Sequence, residues 1–277
     1  MTPLAPANLF SIPPLTVILL ILVLSCQEQS DFADGESANF SINTESNDPP
    51  ETNQREPDPE IPAITPAPLE ESWAIDWWMD RHQEKLEAPE RESANIVFLG
   101  NSITQGWESE GEEVWNRYYA DRNAFNLGFS GDRTENVLWR LHNGAVDGLD
   151  PEVVVLMIGT NNTGHRQDPP EETTLGIEMI LEELKTRLPD TRILLLAIFP
   201  RSEEPDHQMR QLNSTINQQI AGFSDQDRVW FMNINKVFLS DDGFLPESIM
   251  PDFLHPNEKG YRLWAEAMEP MLNTLLR

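Results

Sequence analysis

The chain has 277 residues, room for one sizeable α/β domain plus appendages. Its net charge of −28 and isoelectric point near 4.3 argue against nucleic acid as a partner, because a field of that sign repels phosphates. It has a single cysteine, Cys26, so no disulfide forms within one chain.

Leu15 to Leu24, "LTVILLILVL", is a ten-residue apolar run that ends at Ser25 and Cys26. As a helix it would rise about 15 Å, half a bilayer core, so it is too short to span one. It fits the apolar region of a signal peptide, and residues 1–26 are read as an export signal. "VLSC" resembles the lipobox of bacterial lipoproteins, which implies acylation of Cys26, a cell-envelope location and membrane attachment through a lipid anchor only. Residues 1–14 carry no Lys or Arg, a departure from the usual signal pattern. Residues 27–71 are rich in Asp, Glu, Ser, Asn and Pro, with Arg55 the lone basic residue. They hold too little apolar surface to offset the entropy of ordering and are read as an extended, disordered tether.

The folded domain is expected over 72–277. "SWAIDWWMDRHQEKLE" starts at the capping residue Ser72 and has near-helical apolar spacing. Trp73, Trp77 and Trp78 are read as anchors packing this helix on the domain rather than as a ligand platform. Five strand-like runs follow: Ile96–Leu99, Ala124–Leu127, Val153–Ile158, Ile193–Ile198 and Val229–Ile234. Between and after them, "RTENVLWRLHNG", "TTLGIEMILEELKTRL", "DHQMRQLNSTINQQIAGF" and "NEKGYRLWAEAMEPMLNTLLR" read as amphipathic helices. Strands apolar on both faces, alternating with helices, predict a parallel sheet in a three-layer α/β/α sandwich. Chemistry in such sheets sits outside the carboxyl ends of the strands.

The loops at those ends hold the candidate residues. In "GNSITQGW", Ser102 opens a helix after the first strand and reads either as a cap or as a nucleophile whose developing oxyanion meets free N–H groups. In "NLGFSGDRTENV", Gly128 and Gly131 let the backbone approach a ligand, and Asp132 with Glu135 reads as a capping box. "VVVLMIGTNNTG" ends in Asn161 and Asn162, whose amides are neutral donors. "MPDFLHPNEKGY" sets Asp252 three residues before His255, a spacing at which a carboxylate binds and orients a histidine base or merely caps the turn. His82, His142, His165 and His207 lack metal-ligand spacing and are read as structural or solvated.

"GNSIT", "NLGFSGD", "GTNN" and "DFLHP", in this order, resemble four sequence blocks of the SGNH, or GDSL, hydrolases. "NLGFSGDRTENVLWRLHNG", "VVVLMIGTNN" and "WWMDRH" look most like the branch of the platelet-activating-factor acetylhydrolase catalytic subunits. The resemblance covers residues 72–277. It implies a flavodoxin-like five-stranded sheet and a serine esterase. Ser102 would be the nucleophile, His255 the base and Asp252 its orienting carboxylate. Ser102, Gly131 and Asn161 would supply oxyanion donors, and Ile103 and Leu254 would wall a short acyl pocket. No metal or organic cofactor is implied. The expected partner is a small-molecule or saccharide ester, with a homodimer left open. The family usually has Asp before the serine; here it is Asn101, a neutral near-isostere expected to tune activity. Two alternatives stand beside a short-acyl, acetylesterase-like enzyme: a lipid acylhydrolase or thioesterase, and a non-catalytic glycan-binding module.

Overall fold

A computed structural model describes residues 60–276. The expected export signal, Cys26 and the tether as far as residue 59 lie outside the described residues. Five strands, β1 (Ile96–Gly100), β2 (Ala124–Gly128), β3 (Val153–Met157), β4 (Arg192–Leu196) and β5 (Val229–Met232), pair in the order β2-β1-β3-β4-β5. Every pairing is parallel. The seven helices of the described residues are α1 (Trp78–Glu87), α2 (Ser102–Gln105), α3 (Glu112–Tyr118), α4 (Thr134–His142), α5 (Pro170–Arg187), α6 (Gln208–Ile220) and α7 (Glu258–Leu275).

Alternation along the strands sorts the core into two halves. Val97, Leu99, Val154, Leu156, Ile193 and Leu195 face α4, α5 and α6, meeting Val137, Ile177, Ile180 and Ile216. Ile96, Phe98, Val153, Val155, Leu194 and Leu196 face α2, α3 and α7, meeting Trp107, Tyr119, Trp264 and Met268. This is the expected three-layer α/β/α sandwich with a flavodoxin-like five-stranded sheet. The second half is aromatic: Trp264 packs within 4.8 Å of both the Trp107 and Phe199 ring centroids. Such pairs add roughly 0.5–1.5 kcal/mol each beyond area burial. Helix α3 had no clear signature in the sequence because it is short and follows Gly111 directly.

The N-terminal boundary differs from the expectation. Residues 60–71, assigned above to the tether, lie on the domain. Ala63 and Leu69 are buried, Thr134 Oγ1 donates to Ala63 O at 2.7 Å, and Ala67 N donates to Glu135 O at 3.3 Å. Composition hid this because two apolar side chains and a few backbone bonds suffice to seat a short proline-rich strap. The first tryptophan helix also starts later than Ser72, at Trp78, after a run of turns. Trp78 is buried against Phe129 and Trp139, and Trp77 is half-buried. Trp73 is 49% exposed, so it does not serve as the core anchor expected of it.

Candidate active site

Gly100, Gly128 and Met157 lie in register across β2, β1 and β3. Ser102, Gly131 and Asn161 follow that row by two, three and four residues, so parallel pairing delivers all three to one edge of the sheet. Helix α2 lies so close over β2 that a side chain on Gly128 would strike the Thr104–Gln105 backbone. Asn126, buried in β2, locks the two together by donating to Thr104 O at 3.0 Å and accepting from Gly128 N at 2.7 Å.

Asn101, not Ser102, caps α2: its Oδ1 accepts from Ile103 N at 3.0 Å. That leaves the Ser102 hydroxyl for another partner. Its Oγ lies 2.9 Å from His255 Nε2, across 153 residues of sequence. His255 Nδ1 lies 2.6 Å from Asp252 Oδ2. The other oxygen, Oδ1, accepts from His255 N at 2.7 Å and Leu254 N at 3.0 Å. Asp252 therefore both caps the turn and binds the ring. Partial burial opposes its ionisation, and the donors from His255 and Leu254 outweigh this, holding the carboxyl below its usual value of 3.8. The tight turn requires Phe253 at φ 56°, a left-handed conformation costing about 1 kcal/mol or more, held by Ser202 N donating to Phe253 O at 2.8 Å. Asn257 Oδ1 then caps α7 at Gly260 N.

Gly131 adopts φ 81°, where only glycine is unstrained, and a side chain there would also collide with Trp73 and Leu69. Asn161, 4% exposed, donates from Nδ2 to Asp132 O at 2.9 Å, which sets its amide against the Gly131–Asp132 turn. Asn162 serves the scaffold: its Oδ1 accepts from Thr134 N at 3.1 Å at the start of α4. Ile103 is 1% exposed within the core, and Leu254 is half-buried at the edge of the same cluster. Among the described residues, no group of three His, Cys, Asp or Glu side chains converges as a metal site would need.

The expected Asp132–Glu135 capping box does not form, and α4 starts one residue later. Arg133 occupies the N-cap position of α4 without a side-chain cap bond, and Asn136 Oδ1 accepts from its backbone N–H at 2.9 Å. Asp132 is instead fully buried, accepting from Trp78 Nε1 at 2.6 Å and Arg140 Nε at 2.8 Å. Burial pushes its carboxyl up to about 6, against the pull of Arg140 and the Trp78 N–H. Residues without a signal in the sequence also support the site. Tyr261 Oη donates to Ile103 O at 2.8 Å, joining α7 to α2, and Arg201 Nη1 donates to Thr160 O at 2.7 Å beside Asn161. Tyr261 was hidden within the apolar stripe of α7. Of the other histidines, His82 is buried against Asn143 O, His142 pairs with Glu183, and His207 caps α6. His165 lies beside Trp73.

Residues 98–263 match the GDSL-like lipase/acylhydrolase family. The human platelet-activating factor acetylhydrolase IB subunit alpha1 is 31% identical over 218 residues, which cover 78% of this chain and 92% of that protein. The rat alpha2 subunit is 32% identical over 216 residues, with coverages of 78% and 92%. Among solved structures, a GDSL-like lipase from Bacteroides thetaiotaomicron superposes with a TM-score of 0.57 at 20% identity, covering 71% of this chain and 96% of that one. A catalytic mutant of an acetylxylan esterase from Geobacillus stearothermophilus superposes with a TM-score of 0.51 at 17% identity, covering 65% and 93%. These two share the fold. The chain belongs to the GDSL-like lipase/acylhydrolase family, an esterase or acylhydrolase of the SGNH type related to the platelet-activating-factor acetylhydrolase catalytic subunits.

Proposed function

We propose that the protein is a serine esterase that removes short acyl groups, acetyl foremost, through an acyl-enzyme on Ser102. The observation that carries this reading is the continuous chain Ser102 Oγ–His255 Nε2–Asp252, with steps of 2.9 and 2.6 Å. His255 donates its Nδ1 proton to the Asp252 carboxylate, which leaves Nε2 as the base that takes the Ser102 proton. Oγ attacks the ester carbonyl, and Asp252 stabilises the imidazolium that forms. The Gly131 N–H, the Asn161 amide and the Ser102 N–H receive the tetrahedral oxyanion, each worth about 3 kcal/mol in the transition state. Helix α2 has only four residues, so its dipole adds little and the N–H groups themselves do the work. His255 then protonates the leaving alcohol; in the second half-reaction it draws a proton from the water that attacks the acyl-enzyme, then returns that proton to Ser102 Oγ as the acyl–Oγ bond breaks and the acid leaves.

Acyl length follows from Ile103 and Leu254. Ile103 is packed into the core and Leu254 is half-buried at its edge, two bulky side chains that favour a short acyl group over a long chain. Hydrolysis of p-nitrophenyl acetate, butyrate and octanoate tests this: kcat/KM falls with chain length, and both Ser102→Ala and His255→Ala abolish turnover. A rate that rises toward octanoate would move the assignment to a lipid acylhydrolase. An acetylated saccharide is the proposed substrate class, which suits the exported lipoprotein read from residues 1–26. Loss of metabolic palmitate label in Cys26→Ala is the expected result for that anchor; retained label would remove it.

A further inference from the structure

Trp73 is an indole left half open to solvent beside the residues that would hold the oxyanion. Its own position is well held. The preceding Glu71 carboxylate pairs with Arg133, the following Ala74 is fully buried, and Trp77 Nε1 donates to Trp73 O at 3.0 Å. Its six-membered ring rests against Gly131, since any side chain there would run into Cη2 and Cζ3. The His165 ring meets it nearly at right angles, 79° between planes and 6.1 Å between centroids. His165 comes from the wide turn Asn162–Arg166 that follows Asn161 directly, with Nδ1 3.4 Å from Arg133 Nη1. Burial and the neighbouring Arg133 hold it below the ordinary histidine value, which favours the neutral ring.

Two adjoining indoles held in place, one of them half exposed, give up burial that would stabilise the fold, and a contiguous apolar surface beside a cleft is a candidate for binding. We propose that Trp73 and His165 form the subsite for the alcohol half of the ester, and that this alcohol is a pyranose ring of a saccharide. The inference rests on the esterase reading and names its substrate class. The apolar surface is the Trp73 indole with the tilted Trp77 ring 6.5 Å from it, and His165, Arg133 and Glu71 border Trp73. A long alkyl chain would need that surface to continue. A quaternary ammonium would need several aromatic faces closing around it, whereas here an arginine stands beside the imidazole. A pyranose matches: its C–H face stacks on the indole while its hydroxyls reach the imidazole and the part-exposed Glu71 carboxylate. In the proposed pose the carbonyl oxygen sits between Gly131 and Asn161 and the acyl group toward Leu254, and Trp73, which touches Gly131, takes the alkoxy side.

The test uses the full chain as wild type, Trp73→Ala and Trp73→Phe, with three acetate esters: triacetylated methyl β-xylopyranoside, acetylcholine and ethyl acetate. The expected result is that Trp73→Ala lowers the preference for the xyloside over ethyl acetate at least tenfold, through KM, that Trp73→Phe restores most of it, and that the acetylcholine-to-ethyl acetate ratio holds. An unchanged xyloside ratio, with all rates falling together, would reduce Trp73 to a support for the Gly131 turn and overturn the subsite. A loss confined to acetylcholine would overturn the saccharide. If wild type hydrolyses none of the three, the esterase reading fails separately, and xyloside binding by ligand-observed NMR decides: binding lost in Trp73→Ala keeps the subsite, and absent or Trp73-independent binding removes it.

Discussion

At the scale of single residues, the site depends on side chains that do two things at once. Asp252 binds the His255 ring with one oxygen and caps the turn with the other. Asp252→Asn keeps the cap but favours the wrong imidazole tautomer, so kcat should fall roughly 10³–10⁴-fold while the protein stays folded. The pH dependence of stability follows from its lowered pKa. A depressed carboxylate contributes stability above its unfolded value near 3.8 and loses it as pH falls through the lower folded value. The stability gap between wild type and Asp252→Asn in urea titrations should therefore be steady at pH 5–7 and close below about pH 4. Asn101 caps α2 from a fully buried position, with its Nδ2 lacking a partner among the described residues. Asn101→Ala should cost about 1 kcal/mol through the lost bond to Ile103 N.

At the scale of elements, two pairings hold the loops of the proposed site in place. Tyr261 ties α7, which follows His255, to α2, which carries Ser102. Tyr261→Phe leaves a buried carbonyl short of a donor, which should cost roughly 1–3 kcal/mol and lower kcat with KM little changed. Asp132 and Arg140 form a fully buried ion pair behind Gly131, with Arg140 4.0 Å from the Phe129 ring centroid. Arg140→Ala leaves that carboxylate uncompensated and should destabilise by about 3–5 kcal/mol in chemical unfolding. Strands β1 to β5 were legible because buried parallel strands are continuous apolar runs, and the four large helices because each carries one stripe. Asp132 was misread as a cap because an Asp–x–x–Glu spacing looks the same whether the aspartate meets a helix N–H or an arginine eight residues on. Long-range partners of buried charge leave no local pattern.

At the scale of the whole molecule, parallel register explains why four modest motifs form one site. Each follows a strand carboxyl end, and the sheet order β2-β1-β3 puts three of those ends side by side. The meeting of Ser102, Asp252 and His255 was readable through motif order, whereas the approach of Trp73 and His165 to Gly131 was not, because it depends on how residues 60–77 lie over α4. That strap contributes to stability: a chain starting at residue 72 should melt roughly 5–10 °C below one starting at 57, having lost the burial of Ala63 and Leu69 and their hydrogen bonds. With a net charge of −28, the molecule should also disfavour anionic esters at low salt, and added NaCl should raise their kcat/KM relative to neutral ones.

The central claim, that Ser102 is a nucleophile activated by His255, is tested most directly by intact-protein mass spectrometry after treatment with an alkyl fluorophosphonate, followed by peptide mapping. One covalent adduct on Ser102, lost in Ser102→Ala and strongly slowed in His255→Ala, is the predicted result. A folded wild-type chain that takes up no label, or takes it up on another residue, would contradict it.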